Sequence, residues 1–267
     1  MKRAVLMALF CAASVPLARA EDGRPAALRD VGYDQRLGEL LPLDVALKDE
    51  AGRNVRLGDF FGKKPVVFSL VYFECPMLCT LTLNGLVSAL GVVNFDAGNE
   101  FEIVTVSFDP RDTPASAAAK KKAYLARYGR AGAERGWHFL TADVPTVERI
   151  TKAVGFRYAW DAETRQFAHP SGIVVATPEG RIARYLYGIE YAPKDLRLAL
   201  VEASAGKIGN PVDQFILYCY QYDPARGRYG ASILRLVRLG GVATVLALGT
   251  FVGMMWRRER IQGRRTG

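Results

Sequence analysis

Histidine and cysteine are scarce in this sequence, two and four in 267 residues. Any metal or thiol site must therefore be assembled from very few groups, and each can be weighed singly. There is no internal repeat, so a repeat array is excluded. The one low-complexity patch, Ala115–Ala119 running into Lys120-Lys121-Lys122, reads as a helix with a solvated lysine face. A basic body is also lacking. The net charge is +9, but three charges belong to Lys2, Arg3 and Arg19 and eight to residues 226–267, so residues 21–225 carry −2. A slightly acidic body cannot offer the clustered Lys and Arg that a nucleic-acid surface needs, and no nucleic-acid partner is expected. Half of the residues are apolar and 24% charged, which is ordinary for a globular chain and sets disorder aside.

The two ends differ from the body. Residues 1–20 (MKRAVLMALFCAASVPLARA) join a basic start, a short apolar stretch and an Ala-Arg-Ala end. They read as a secretory signal peptide cleaved after Ala20, with a short N-terminal anchor as the alternative. Cleavage discards Cys11, whose neighbour Phe10 is too bulky for a lipobox. Near the other end, Leu239–Trp256 (LGGVATVLALGTFVGMMW) is uncharged. As a helix its eighteen residues rise about 27 Å, close to the hydrocarbon thickness of a bilayer. A transmembrane helix over 236–256 and a basic tail over 257–267 are expected, with a buried core helix as the alternative. The signal peptide sends the body across the membrane, so the expected location is a bacterial inner membrane with the main domain in the periplasm. Five arginines after the span against four before it add a weak positive-inside bias. The basic flanks meet anionic headgroups of the inner membrane.

Between the ends, strand and helix signals alternate. Residues 21–45 read as an extended arm. An apolar run, VVFSLVYF (66–73), has strand length, and Thr80–Val93 has helical apolar spacing. Phe101–Phe108 is a second strand. Thr113-Pro114 opens a helix to about Tyr128, with Thr as N-cap and Pro in the first turn. Trp137–Thr141 is a strand, Val144–Val154 a helix opened by Asp143 and Pro145, Ser171–Thr177 and Arg181–Tyr187 a strand pair around Pro178-Glu179-Gly180, and Pro193–Ala203 a closing helix. The pattern implies an α/β sheet covered by helices over 46–205, followed by an extension over 206–235.

The chemistry lies after the first buried strand, in Cys75-Pro76-Met77-Leu78-Cys79. Pro76 fits the first position of a helix, which leaves Cys75 at the N-cap facing unpaired N–H groups that favour thiolate. Residues four apart on a helix hold their Cβ atoms about 5–6 Å apart, wider than a disulfide prefers. The spacing suits a metal between two sulfurs somewhat better, without excluding a disulfide. Of the two histidines, His138 lies within a strand and reads as a packed or surface imidazole. His169, in a loop before a strand, is the natural third ligand. Two thiolates and an imidazole match Cu(I) and, with the imidazole, Cu(II). Zinc stays open, though structural zinc prefers four protein ligands. Cys219 reads as a small buried residue, with a resolving thiol or auxiliary ligand as alternatives. Met77 is a weak thioether candidate. Asp109 and Asp112 read as strand-end and helix-cap groups, or as groups supporting the site.

Four stretches in order, FSLVYFECPMLCTLTL, SFDPRDTP (107–114), WHFLTAD and the segment holding His169, resemble the Sco/SenC family of copper proteins over residues 45–205. The resemblance implies a thioredoxin-like fold and a copper site of Cys75, Cys79 and His169. It also implies a role in assembling the dinuclear copper centre of cytochrome c oxidase, with a copper-receiving subunit of a respiratory oxidase as partner. Other periplasmic copper or thiol-redox proteins are further candidate partners. The C-terminal span and the block 209–230 depart from the family pattern. A metallochaperone is the leading function. The alternative is a thiol–disulfide oxidoreductase with Cys75 and Cys79 as catalytic groups, and a peroxide-reducing thiol enzyme is a weaker third. Dithiol exchange needs no imidazole ligand, so His169 discriminates the first two.

Overall fold

The computed structural model describes residues 30–75, 78–208, 222–223, 228–229, 239–246, 248–254 and 256. The chain divides into two compact units, Met1–Ile208 and Gly209–Gly267.

The first unit contains eleven of the described strands: β1 Gly32–Tyr33, β2 Ala46–Lys48, β3 Asn54–Arg56, β4 Val66–Val71, β5 Glu102–Ser107, β6 Trp137–Leu140, β7 Phe156–Arg157, β8 Ala159–Asp161, β9 Gln166–Ala168, β10 Gly172–Ala176 and β11 Ile182–Tyr187. The described helices between and after them are α1 Leu78–Val92, α2 Pro114–Tyr128, the short α3 Ala133–Gly136, α4 Val144–Val154 and α5 Pro193–Ser204. Five strands form the central sheet in the order β11-β10-β4-β5-β6. β4, β5 and β6 run parallel, while β10 is antiparallel to both β4 and β11. The parallel strands are linked through helices, as parallel connections require. Every residue of β4 is buried, which is why its sequence is a continuous apolar run rather than an alternating one. The expected α/β, thioredoxin-like sheet is found.

The helix boundaries follow local chemistry. Thr113 caps α2 by accepting from Ser116 N, and Ser116 reciprocates toward Thr113 N, with Pro114 in the first turn. Asp143 caps α4 by accepting from Thr146 N. That helix ends at Gly155, whose φ of 67° is left-handed and whose Cβ, if present, would fall 1.9 Å from Asp34 O. Only glycine tolerates both conditions. In α1, Gly85 lies against the loop before α5, where a Cβ would fall 1.9 Å from Ile189 O.

Two expectations need revision. The lysine run is not uniformly solvated: Lys121 is buried and ion-pairs with Glu50 at 2.5 Å, while Lys122 is exposed. The pair meets because the turn between β2 and β3 reaches α2, a contact invisible to local pattern. The described part of segment 21–45 is extended but tied down. β1 pairs antiparallel with β7, and Leu41 and Val45 are core residues.

In the second unit, Tyr222–Asp223 (β12) pairs antiparallel with Arg228–Tyr229 (β13). Helical backbone is described at 239–246 and 248–254. Among the described residues no helix is long and apolar enough to cross a membrane. Eight residues of helix rise only about 12 Å, so the expected transmembrane helix over 236–256 is not established by these stretches.

Candidate metal centre

Register brings the site together. Phe68 of β4 pairs with Val174 of the antiparallel β10. The chain leaving β4 and the chain entering β10 therefore lie at the same end of the sheet. Cys75 follows β4, Cys79 lies in the first turn described for α1, and His169 stands between β9 and β10. Pro76 and Met77 lie outside the described residues, as do Cys11 and Cys219.

The three candidate ligands converge. One donor atom from each of Cys75, Cys79 and His169 lies within 4.8 Å of the others, and all three residues are buried. Both cysteines are free thiols. Cys79 Sγ is 3.3 Å from His169 Nε2. The opposite ring nitrogen, Nδ1, is 2.9 Å from the Pro170 carbonyl. A carbonyl oxygen can only accept, so Nδ1 carries the proton and Nε2 turns a lone pair toward the sulfurs. That tautomer is the one a metal-binding imidazole needs, and fixing it through the second nitrogen is how such ligands are commonly oriented.

The two sulfurs are not equivalent. Cys75 is held far below the ordinary thiol range, at about 3. The largest cause is a hydrogen bond from the Cys79 side chain, which overcomes the opposing effect of burial, with further help from Tyr72 and the Cys79 backbone N–H. That N–H lies 3.3 Å from Cys75 Sγ, so a helix-start amide does face the first cysteine, as its expected position requires. Cys79 moves the other way. Complete burial, and then the neighbouring Cys75 sulfur, push its thiol well above the ordinary range. Tyr72 N donates to Cys79 Sγ at 3.3 Å. One thiolate and one thiol thus share the site.

The walls are aromatic. Tyr72, Phe108 and Phe156 surround the His169 ring with centroids 5.7, 5.2 and 6.2 Å away. Asp112 supports the loop beneath. It is buried, accepts from Phe73 N at 2.6 Å and from Ser107 Oγ at 2.5 Å, and is contacted by Ser116 Oγ at 3.3 Å. It therefore pins the Cys75 loop to the end of β5, beyond its expected place beside a helix cap. Asp109 is buried against the Arg111 guanidinium, 2.6 Å at the closest pair. His138 is remote, next to Glu102 at 3.3 Å and against the Phe60 ring, as expected of a packed imidazole. Neither Arg111 nor the β8–β9 hairpin was singled out by sequence pattern, because short polar-edged strands of three residues give too little alternation to read.

The donor set fits a soft metal. Two sulfurs and one imidazole nitrogen in a buried, aromatic pocket match Cu(I), and the nitrogen extends the match to Cu(II).

Comparison with known proteins gives a consistent picture. The SCO1/SenC family model matches residues 38–202. A protein of Stutzerimonas stutzeri, provisionally named a copper-binding protein, is 25% identical over 119 residues, covering 43% of this chain and 54% of that relative. The chain thus spans about half the length of that curated relative. Among solved structures, a protein of Aquifex aeolicus VF5 provisionally assigned to electron transfer is 29% identical, with a TM-score of 0.56 over 64% of this chain and 96% of that one. The copper-bound ScoI of Arabidopsis thaliana is 18% identical, with a TM-score of 0.50 over 64% of this chain and 99% of that one, a likeness of fold.

Proposed function

This chain belongs to the SCO1/SenC family, and on that premise we propose that it is a copper-binding protein that carries copper toward the dinuclear copper site of cytochrome c oxidase. The observation that supports this reading most is the buried convergence of Cys75, Cys79 and His169 within 4.8 Å. Copper is the cargo. Bound there, it would have two sulfur donors and one nitrogen donor, a set that accepts both Cu(I) and Cu(II). The protein's share is to present the Cys75 thiolate ready-made, to release the Cys79 proton as metal enters, and to hold the Nε2 lone pair inward through the Pro170 carbonyl. Cys75 is the less deeply buried of the two, 7% exposed against 0% for Cys79, which makes the first sulfur the natural point of entry and exit. The partner would be a copper-receiving oxidase subunit whose own thiols exchange with Cys75.

We place the protein at a bacterial inner membrane with this domain in the periplasm. The leader-like residues 1–20 and the uncharged run 239–256, flanked by arginines, support that placement. A reporter fused after Gly267 should then behave as cytoplasmic, and a periplasmic signal would overturn it.

One observation favours a second reading, that of a thiol–disulfide reductase. The thiolate of Cys75 is more exposed and the thiol of Cys79 is buried beside it. Cys75 would attack a target disulfide, forming a mixed disulfide and releasing one target thiolate. Cys79 would then close the Cys75–Cys79 bond, release the second target thiolate and give up its proton. Two electrons pass to the target and the pair is left oxidised. The experiment that separates the readings loads the full chain with copper and compares wild type with Cys75→Ser and Cys79→Ser. One copper per chain is expected, with thiolate-to-Cu(II) absorption lost in both variants. Failure of the wild type to retain copper, with dithiol exchange intact, would put the reductase first.

A further inference from the structure

We infer that Arg111 and Trp160 form a clasp that holds the β8–β9 hairpin down and thereby keeps His169 at the two sulfurs, making both of them positioning residues for copper. The inference rests on the copper reading above.

The hairpin pairs only with itself and is no part of the central sheet. Two-stranded hairpins are marginal on their own, so side-chain contacts with the body must set its position. Trp160 and Phe167 are cross-strand partners in it. Their rings lie 4.9 Å apart, edge to face. Phe167 also meets Tyr72 at 5.8 Å and Phe108 at 5.7 Å, two of the three rings that wall His169. His169 follows Phe167 by two residues, so the strand that seats Phe167 also delivers the imidazole.

Arg111 closes this arrangement from the other side. Its guanidinium lies 4.9 Å from the Trp160 ring centre and 5.5 Å from that of Phe167. The same guanidinium grips buried Asp109 with both of the carboxylate's oxygens engaged. Asp109 belongs to the loop after β5, next to Phe108 and three residues before Asp112. The hairpin is thus fastened to the rigid end of the sheet through one cation held between a buried carboxylate and two rings. Trp160 is 45% exposed, an unusual place for a tryptophan unless its face has work to do. Loosening the clasp lowers the fraction of molecules with His169 in place. The apparent affinity for a metal that needs the imidazole falls by the same factor.

Trp160→Ala carries the test, because its exposure spares the core, whereas an Arg111 variant would also strip Asp109 of its partner. Cupric and cuprous ions are titrated separately into the full chain as wild type, Trp160→Ala, His169→Ala and the double variant. Removing an exposed cation–π contact should weaken Cu(II) by about two- to five-fold. Cu(I), held by the two sulfurs, should change less. In the His169→Ala background the Trp160 change should have no further effect, and amides of residues 159–168 should exchange faster in Trp160→Ala than in wild type. Unchanged Cu(II) binding, unchanged exchange, or an equal loss in the His169→Ala background overturns the clasp. If His169→Ala itself leaves Cu(II) binding at the wild-type level, the copper reading falls first, and the clasp with it.

Discussion

His169 Nε2 lies 3.3 Å from Cys79 Sγ across ninety residues of chain. Two features set that distance. The antiparallel register of β4 with β10 brings the two segments to one end of the sheet. The Pro170 carbonyl then orients the ring from its far side. With copper absent, the adjacent sulfurs should close to a Cys75–Cys79 disulfide under mild oxidant and reopen with dithiothreitol. Mass spectrometry after alkylation measures this, and a bridge from Cys75 to Cys219 as main product would show that the site is not the pair described.

The two thiols should also titrate apart. Cys75 is lowered to about 3, first by the hydrogen bond from Cys79, and Cys79 is raised by burial. Between pH 8 and pH 5 Cys75 is already thiolate, so its alkylation rate by iodoacetamide should stay nearly flat and fall only as the pH nears 3. An ordinary thiol would slow about tenfold per unit below its pKa of roughly 8.5. Cys79 should stay unmodified throughout. Site-resolved peptide mapping over that pH range checks both, and a tenfold loss per unit for Cys75 would contradict the assignment.

Asp112 holds the Cys75 loop through Phe73 N and Ser107 Oγ. Asp112→Ala leaves that buried N–H unpaired and should cost about 1–3 kcal/mol in urea denaturation. Asp112→Asn keeps an acceptor oxygen for Phe73 N and should lose less. Equal losses would mean that the carboxylate acts through its charge instead.

Much of this was legible in the sequence, for identifiable reasons. The apolar run 66–73 was readable as a strand, and its lack of polar alternation has its reason in the burial of every residue of β4, Val66–Val71. The Thr113-Pro114 and Asp143 helix starts were readable because capping is local chemistry. Cys75, Cys79 and His169 stood out because few other residues could ligate a soft metal. Lys121 with Glu50, Asp112 with Phe73, and Arg111 with Trp160 were not legible. Each joins segments that meet only through tertiary packing, and none leaves a periodic trace. The seam at Gly85 is of the same kind, since nothing in its neighbours shows that another backbone passes within reach.

Gly85→Ala should expose that seam. The added methyl falls on the Ile189 carbonyl, so α1 or the loop must move. Overpacking of this kind costs about 1–3 kcal/mol. Thermal unfolding measures the loss, and a variant as stable as wild type would show that the loop yields freely.

The most direct measurement is anaerobic titration of the full chain with Cu(I) and, separately, Cu(II), for wild type and His169→Ala. One copper per chain is expected in wild type. His169→Ala should weaken Cu(II) by at least about tenfold and Cu(I) by less, because two thiolates still hold the softer ion. Wild-type affinity of the variant for both oxidation states would contradict the three-residue site.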